Sequence, residues 1–196
     1  MPKIVDHDKQ RKKIAEATWR IITREGIEKA TVRNIAKEAG ISVGSLRHYF
    51  STQSELLAFS MRLVSERVKK RIEGIDFSCP PLEGIKRLIH EVLPLEEETK
   101  KEMEVWFTFT QKALWEPELQ PLSNQVYHEF RSAIKLIIET LLKLELARPN
   151  LNVDLEVERL YALIDGLAIH IIMQPNHLTP EMVESIVDHH LRSLCR

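Results

Sequence analysis

Cysteine is nearly absent from this chain of 196 residues: Cys79 and Cys195 are too few, and too featureless in spacing, for a disulfide framework or a thiolate metal site. Long apolar runs are missing too. None approaches the roughly 18 residues of a membrane span. The N-terminus, with Lys3, Asp6, Asp8 and Lys9, has no apolar signal core, so a cytoplasmic protein without a membrane partner is expected. Period-two alternation is scarce, and we find no internal repeat and no low-complexity segment. His170, His177, His189 and His190 do not have metal-ligand spacing, since adjacent histidines on a helix point about 100° apart. No pair of carboxylates or Ser/His constellation stands out. A metal, a cofactor and a catalytic site are therefore not expected, which weighs against the alternative of a helical ligand-binding enzyme.

What is present is an ordinary globular composition, 43% hydrophobic and 29% charged, with the charge unevenly placed. Residues 1–50 carry 11 Lys and Arg against 6 Asp and Glu, or +5; the remainder carries 17 against 23, or −6. A basic head on an acidic body suggests that the head meets a polyanion, although a solvated basic face would look the same.

Apolar residues recur every three or four positions almost everywhere, which predicts an all-α protein of about nine helices. A first helix over about 8–24 has Ile14, Thr18, Ile21 and Ile22 as its inward stripe and ends at Glu25-Gly26. Thr31 is a suitable N-cap for a second, with Val32, Ile35, Ala36 and Ala39 at helical spacing before Gly40. Ser42 caps a third, short helix in which Val43, Leu46 and Phe50 share a face while Ser45, Arg47 and His48 point elsewhere. A fourth helix starts near Ser54, capped by Ser51 or Thr52, and runs past Arg71. Gly74 to Pro81 reads as a linker. Further helical patterns end before Pro94 and around Pro117, then cover about 122–146 and 154–174. The last begins at Thr179-Pro180 and reaches about Leu194.

Two short helices separated by Ala39-Gly40-Ile41-Ser42 fit a helix-turn-helix, with Gly40 making the turn and Ile35 and Leu46 closing the angle. Such pairs serve either as packing units or as DNA readers, and the +5 head favours the second.

The stretch "IAKEAGISVGSLRHYFSTQSELL", following a helix that ends in glycine and a T-x-R start, resembles the TetR family of bacterial transcriptional regulators over about residues 8–60. "DLEVERLYALIDGLAIHIIM", and Asp165-Gly166-Leu167 in particular, is similar to the BetI-like branch. The resemblance implies a three-helix DNA-binding domain, here 1–53, and a helical effector-binding and dimerisation domain, here 54–196. It also implies a homodimer on double-stranded DNA at a palindromic operator, two recognition helices spanning about 34–36 Å.

On the family motif, Ser42, Val43, Gly44, Ser45, Arg47 and His48 lie on the groove-facing side of the recognition helix. Gly44 lets the backbone come close, and Arg47 is suited to guanine O6 and N7, a phosphate bond being the alternative. Thr31 and Arg33 match backbone-contacting positions, and Tyr49 is either a backbone contact or a packing residue. Gln53 departs from the lysine usual there and removes one charge from a phosphate contact.

Met103, Trp106, Phe107, Phe109, Thr110 and Trp115 share one helical pattern, and Tyr127 and Phe130 fall on the next. Residue by residue these read first as core. Two of only three tryptophans in one helix nevertheless mark where the family's effector pocket would form, suited to a hydrophobic or cationic small molecule. We take Met103, Trp106, Phe107, Thr110, Tyr127, Phe130 and Asp165 as its candidates; Asp165 either lines the pocket or caps a polar network at the subunit contact. For the dimer contact the apolar surface is assigned to Ile134, Ile138, Leu141, Leu160, Leu163, Leu167 and Ile171, with Gly166 for close approach; burial within one subunit is the alternative. The function that follows is a ligand-responsive repressor; a regulator controlled by a protein partner, without a small effector, is the alternative.

Overall fold

The protein, seen in a computed structural model that describes residues 7–195, is all-α. Its nine helices among the described residues are α1 (His7–Glu25), α2 (Val32–Ala39), α3 (Val43–Tyr49), α4 (Gln53–Glu73), α5 (Pro81–Val92), α6 (Glu97–Ala113), α7 (Gln120–Lys143), α8 (Val153–Met173) and α9 (Pro180–Leu194). Lys3 and Asp6, on which part of the N-terminal reading rested, lie outside the described residues. No described helix is long and apolar enough to cross a membrane.

The residues group into two compact units. One holds the chain up to Arg67 together with Lys101–Ser123; the other holds Val68–Lys100 and the chain from Asn124 onward. The sequence-based division after residue 53 falls one residue into α4, whereas the compact grouping follows contacts and so divides α4 further along, and α6 and α7 as well.

In the first unit α1 packs on α2 and α3. Ile14, Ile21, Ile35, Ala36, Leu46 and Phe50 are buried there, each apolar stripe arising from the three-and-four spacing. The helix ends are closed locally. Thr31 Oγ1 accepts from the Asn34 amide at 3.3 Å, and Ser42 Oγ accepts from the Ser45 amide at 3.0 Å. Gly40, at φ 68° and ψ 37°, ends α2 in the left-handed conformation while the Ile41 amide reaches back to the Ala36 carbonyl at 3.0 Å. Across the outside, Glu38 of α2 accepts from Arg20 at 2.8 Å and Arg24 at 3.2 Å of α1, and these bonds, Arg20's first, hold its carboxyl below the usual range.

In the second unit α5 and α9 pack together. Lys86 Nζ joins them, 2.7 Å from Asp188 and 2.8 Å from Glu83. Ile89, Ile138, Leu141, Val157, Leu160, Val187 and Leu191 fill its interior. Asn152 caps α8 and Thr179, followed by Pro180, caps α9, the latter as the sequence predicts.

A Cβ placed on Gly40 would meet nothing within 4 Å, so only backbone strain opposes substitution. Gly40→Ala is expected to cost about 1 kcal/mol, seen as a lower urea midpoint at unchanged slope, and Gly40→Asn less, because Asn tolerates this conformation better.

Candidate nucleic-acid interface and effector region

α3 has only seven residues, too short to be stable alone, so its outward face is defined by what holds its inward one. Leu46 and Phe50 are that hold, 2% and 1% exposed. Phe50 caps the helix and its ring lies 5.4 Å from that of Phe59 on α4. The Arg11 guanidinium of α1 stands over both rings, 4.7 Å and 4.6 Å from their centroids, which adds a cation–π attraction where water is largely excluded. Glu55 lies 3.5 Å from Arg11 and also accepts from the Ser51 amide and hydroxyl at 2.8 and 3.0 Å. One arginine thus joins α1, the end of α3 and the start of α4.

With that face fixed, Ser42, Gly44, Arg47 and His48 are exposed and Ser45 is half-buried. Val43 does not share the buried face expected for it; it is 37% exposed, because a helix of two turns has room for only Leu46 and Phe50 as anchors. A Cβ on Gly44 would meet nothing nearer than Ser42 Oγ at 3.9 Å. Glycine there is not required by the fold and leaves bare backbone on the outer face. Tyr49 is half-buried, its ring 4.7 Å from His7 and 5.5 Å from His48; sequence reasoning did not single out His7, whose partner is 42 residues away.

The basic side chains sort into two groups. Arg20 and Arg24 are engaged by Glu38, and Arg67 by Glu16 at 2.9 Å. Among the described residues Arg33 and Arg47 enter no ion pair or hydrogen bond, and both are exposed. Thr31 is exposed at the start of α2, and beside it a shallow depression of about 340 Å³ is lined by Ile27, Glu28, Thr31, Val32, Gln53 and Lys112. Gln53 is the first residue of α4, and its amide Nε2 donates to the Ala30 carbonyl at 2.9 Å.

The candidate effector residues fall in both units. In the first, Met103, Trp106, Phe107 and Thr110 of α6 are half-buried and Phe109 is fully buried. Trp115 is not part of that helix, which ends at Ala113, and its indole is 82% exposed. The expectation of two tryptophans on one helix is corrected accordingly: the turn that precedes Pro117 begins earlier than the apolar pattern suggests. In the second unit Tyr127 and Phe130 of α7 meet Tyr161 of α8, with ring centroids 5.3 Å and 4.9 Å apart. Tyr161 was missed in the sequence, although it stands one helical turn before Asp165. Burial raises the Asp165 carboxyl to about 6, and burial, reinforced by the Asp165 charge, pushes the Tyr161 phenol up.

The residues assigned to a subunit contact are largely interior. Ile134, Ile138, Leu141, Leu160, Leu167 and Ile171 are all buried within one chain and Leu163 is half-buried, so these side chains are covered without a partner. The exposed apolar positions are displaced around the same helices: Ala133 and Leu136 on α7, and Leu155, Ala162, Ile169 and Met173 on α8, with half-buried Gly166 in line. A Cβ on Gly166 would meet nothing within 4 Å.

Comparison with known proteins agrees with this architecture. Residues 14–67 match the family model described as bacterial regulatory proteins, tetR family, and residues 81–196 match that of the BetI-type transcriptional repressor C-terminal domain. The chain is 45% identical to the HTH-type transcriptional regulator PksA of Bacillus subtilis (strain 168), over 100% of this chain and 94% of that protein. It is 26% identical to the HTH-type transcriptional regulator BetI of Klebsiella pneumoniae (strain 342), over 98% and 97%. Among solved structures, a transcriptional regulator from Rhodococcus sp. Rha1 superimposes with a TM-score of 0.82 at 26% identity, over 94% of this chain and 95% of that one. A regulator from Saccharomonospora viridis, solved in complex with choline, shares the fold with a TM-score of 0.82 at 24% identity, over 94% and 96%. The chain belongs to the TetR family of bacterial transcriptional regulators and carries its BetI-type C-terminal domain.

Proposed function

We propose that this regulator is a dimeric, cytoplasmic repressor that reads a palindromic operator and is released by a small cationic effector. The observation that carries the DNA reading is the sorting of charge: Arg33 and Arg47 are exposed and unpaired among the described residues, while neighbouring arginines are held by carboxylates. Arg47 reads a guanine in the major groove, with Ser42, Val43, Gly44, Ser45 and His48 around it; Thr31, Arg33, Tyr49 and Gln53 face phosphates. The 1–53 segment is the reading head and 54–196 the regulatory body.

For the dimer, the stripe of exposed Leu155, Ala162, Ile169 and Met173 with half-buried Gly166 among them, spaced by sevens, fours and threes, is the surface a four-helix contact would cover, together with exposed Leu136 of α7. For the effector, three aromatic rings close to a carboxylate favour a quaternary ammonium ion, through cation–π attraction and neutralisation of Asp165. The choline seen in the Saccharomonospora viridis regulator supports the same class. Release follows if the effector binds the DNA-incompetent state more tightly than the competent one.

Selection of bound genomic fragments by the purified protein tests the first half, with enrichment of one palindrome expected; a site lacking twofold symmetry would refute the dimeric reading. Choline added to that fragment is expected to lower affinity, and an unchanged affinity up to tens of millimolar would remove the cationic effector while leaving the DNA reading intact. Gln53→Lys is expected to steepen the dependence of log K on log salt by about 0.9 per protomer. Equal slopes would show that position 53 does not face a phosphate.

Asp165 gives a pH test. Its folded pKa of about 6 lies above the ordinary aspartate value of 3.8, so the folded state binds the proton more tightly and this residue's cost to stability grows as pH rises from about 4 to about 6. Asp165→Asn is expected to stabilise the protein at pH 7.5, by on the order of 1 kcal/mol after allowance for partial exposure, and to have no such effect near pH 4. Urea midpoints at the two pH values measure it.

A further inference from the structure

The depression beside α2 brings two residues of the DNA-binding reading, Thr31 and Gln53, together with one that it does not use, Lys112. Lys112, near the end of α6, lines it with Thr31, Val32 and Gln53. Lys112 Nζ donates to Glu116 Oε1 at 3.0 Å, and the other carboxylate oxygen accepts from Ser54 Oγ at 2.7 Å. The adjacent residue, Gln53, donates to the Ala30 carbonyl at 2.9 Å, 23 positions earlier in the chain. Ala30 is buried and immediately precedes Thr31, the cap of α2. The first turn of α4 is therefore held on one side by the turn that follows α6 and on the other holds the approach to the helix-turn-helix.

We propose that Glu116 and Ser54 are positioning residues for DNA binding: their bond fixes the first turn of α4, and Gln53, through Ala30, passes that constraint to α2. This rests on the reading that α2 and α3 contact DNA.

Each end of the bond is built by its own local turn. Glu116 is set by a tight turn in which the Trp115 and Glu116 amides both return to the Lys112 carbonyl, at 3.0 and 2.9 Å, so Lys112 restrains it through backbone and ammonium together. Gln120 Nε2 closes the same turn by donating to the Ala113 carbonyl. Ser54 stands in the first turn of α4, where Thr52 Oγ1 accepts from the Glu55 amide at 3.0 Å, and its hydroxyl joins that turn to the one that follows α6. Bonds of a hydroxyl to an ionised carboxylate are short and strong, and the Ser54 and Lys112 bonds hold the Glu116 carboxyl below the usual range, so the bond is made throughout the neutral region. Gln53 also acquires a reason. A lysine there could reach a phosphate, whereas the amide has the neutral, directional donor that a backbone carbonyl accepts.

The test is a double-mutant cycle on affinity for the selected operator fragment, using the full-length protein. Ser54→Val and Glu116→Ala are each expected to weaken binding about tenfold, the size of one charged hydrogen bond. The double variant should be no weaker than either single one. Ser54→Thr, equal in bulk to the valine variant but retaining the hydroxyl, should keep near-normal affinity, which a role in packing alone would not predict. Additive losses, unchanged affinity in the single variants, or equal losses for valine and threonine would each overturn the proposal. Arg47→Ala serves as the control: if it leaves affinity unchanged, the DNA-binding reading itself has failed, whereas a loss there with no coupling between Ser54 and Glu116 condemns only the positioning role.

Discussion

The placement of Arg11 between Phe50 and Phe59 is the constraint on which the reading head depends. A seven-residue helix has no direction of its own, and α3 acquires one because Leu46 and Phe50 are buried while a cation from α1 lies against the ring that ends it. The guanidinium suits this place better than an ammonium would, being planar, weakly hydrated and able to stack on two faces. Its Nε is buried without a hydrogen-bond partner among the described residues, so the rings and Glu55 must offset that loss. Everything assigned to Arg47 and His48 presupposes this arrangement: without it, the outward residues would have no fixed outward side.

Charge then separates scaffolding from function. The +5 balance of the first fifty residues does not by itself distinguish a DNA reader from a solvated face, since the net figure counts bound and free arginines alike. Once Arg20 and Arg24 are tied to Glu38, and Arg67 to Glu16, Arg47 of the recognition helix and Arg33 at the start of α2 are left with no carboxylate partner among the described residues. Gln53 belongs on the other side of that division. Its amide turns inward to Ala30, so its departure from the family's lysine concerns how α4 is joined to α2 as well as how many phosphates are neutralised.

The local features were legible in the sequence because their physics is local. Thr31, Ser42, Gly40 and Thr179 act within four residues of themselves, and each caps or ends its helix as the residue type requires. Failures begin where the partner is distant. The pairings of Gln53 with Ala30, His7 with Tyr49 and Tyr127 with Tyr161 leave no periodic signal, and Trp115 fell on the wrong side of a helix end because apolar spacing continues past the last helical turn. The α8 helix shows a different limit. When a helix is apolar around most of its circumference, periodicity says that several sides need cover and not which belong to the same chain. Leu160, Leu167 and Ile171 are covered internally; Ala162, Ile169 and Met173 are not.

Asp165 sits where those considerations meet. A carboxylate on an apolar helix raises the energy of the folded state once it ionises, and its upward-shifted pKa is that same cost expressed as proton affinity. A cation bound nearby would relieve the cost, and part of its binding energy would come from the desolvation that the Asp165 carboxylate sustains at neutral pH. An asparagine would remove the cost and the relief together, which is why stability and effector response should move in opposite directions at this one position.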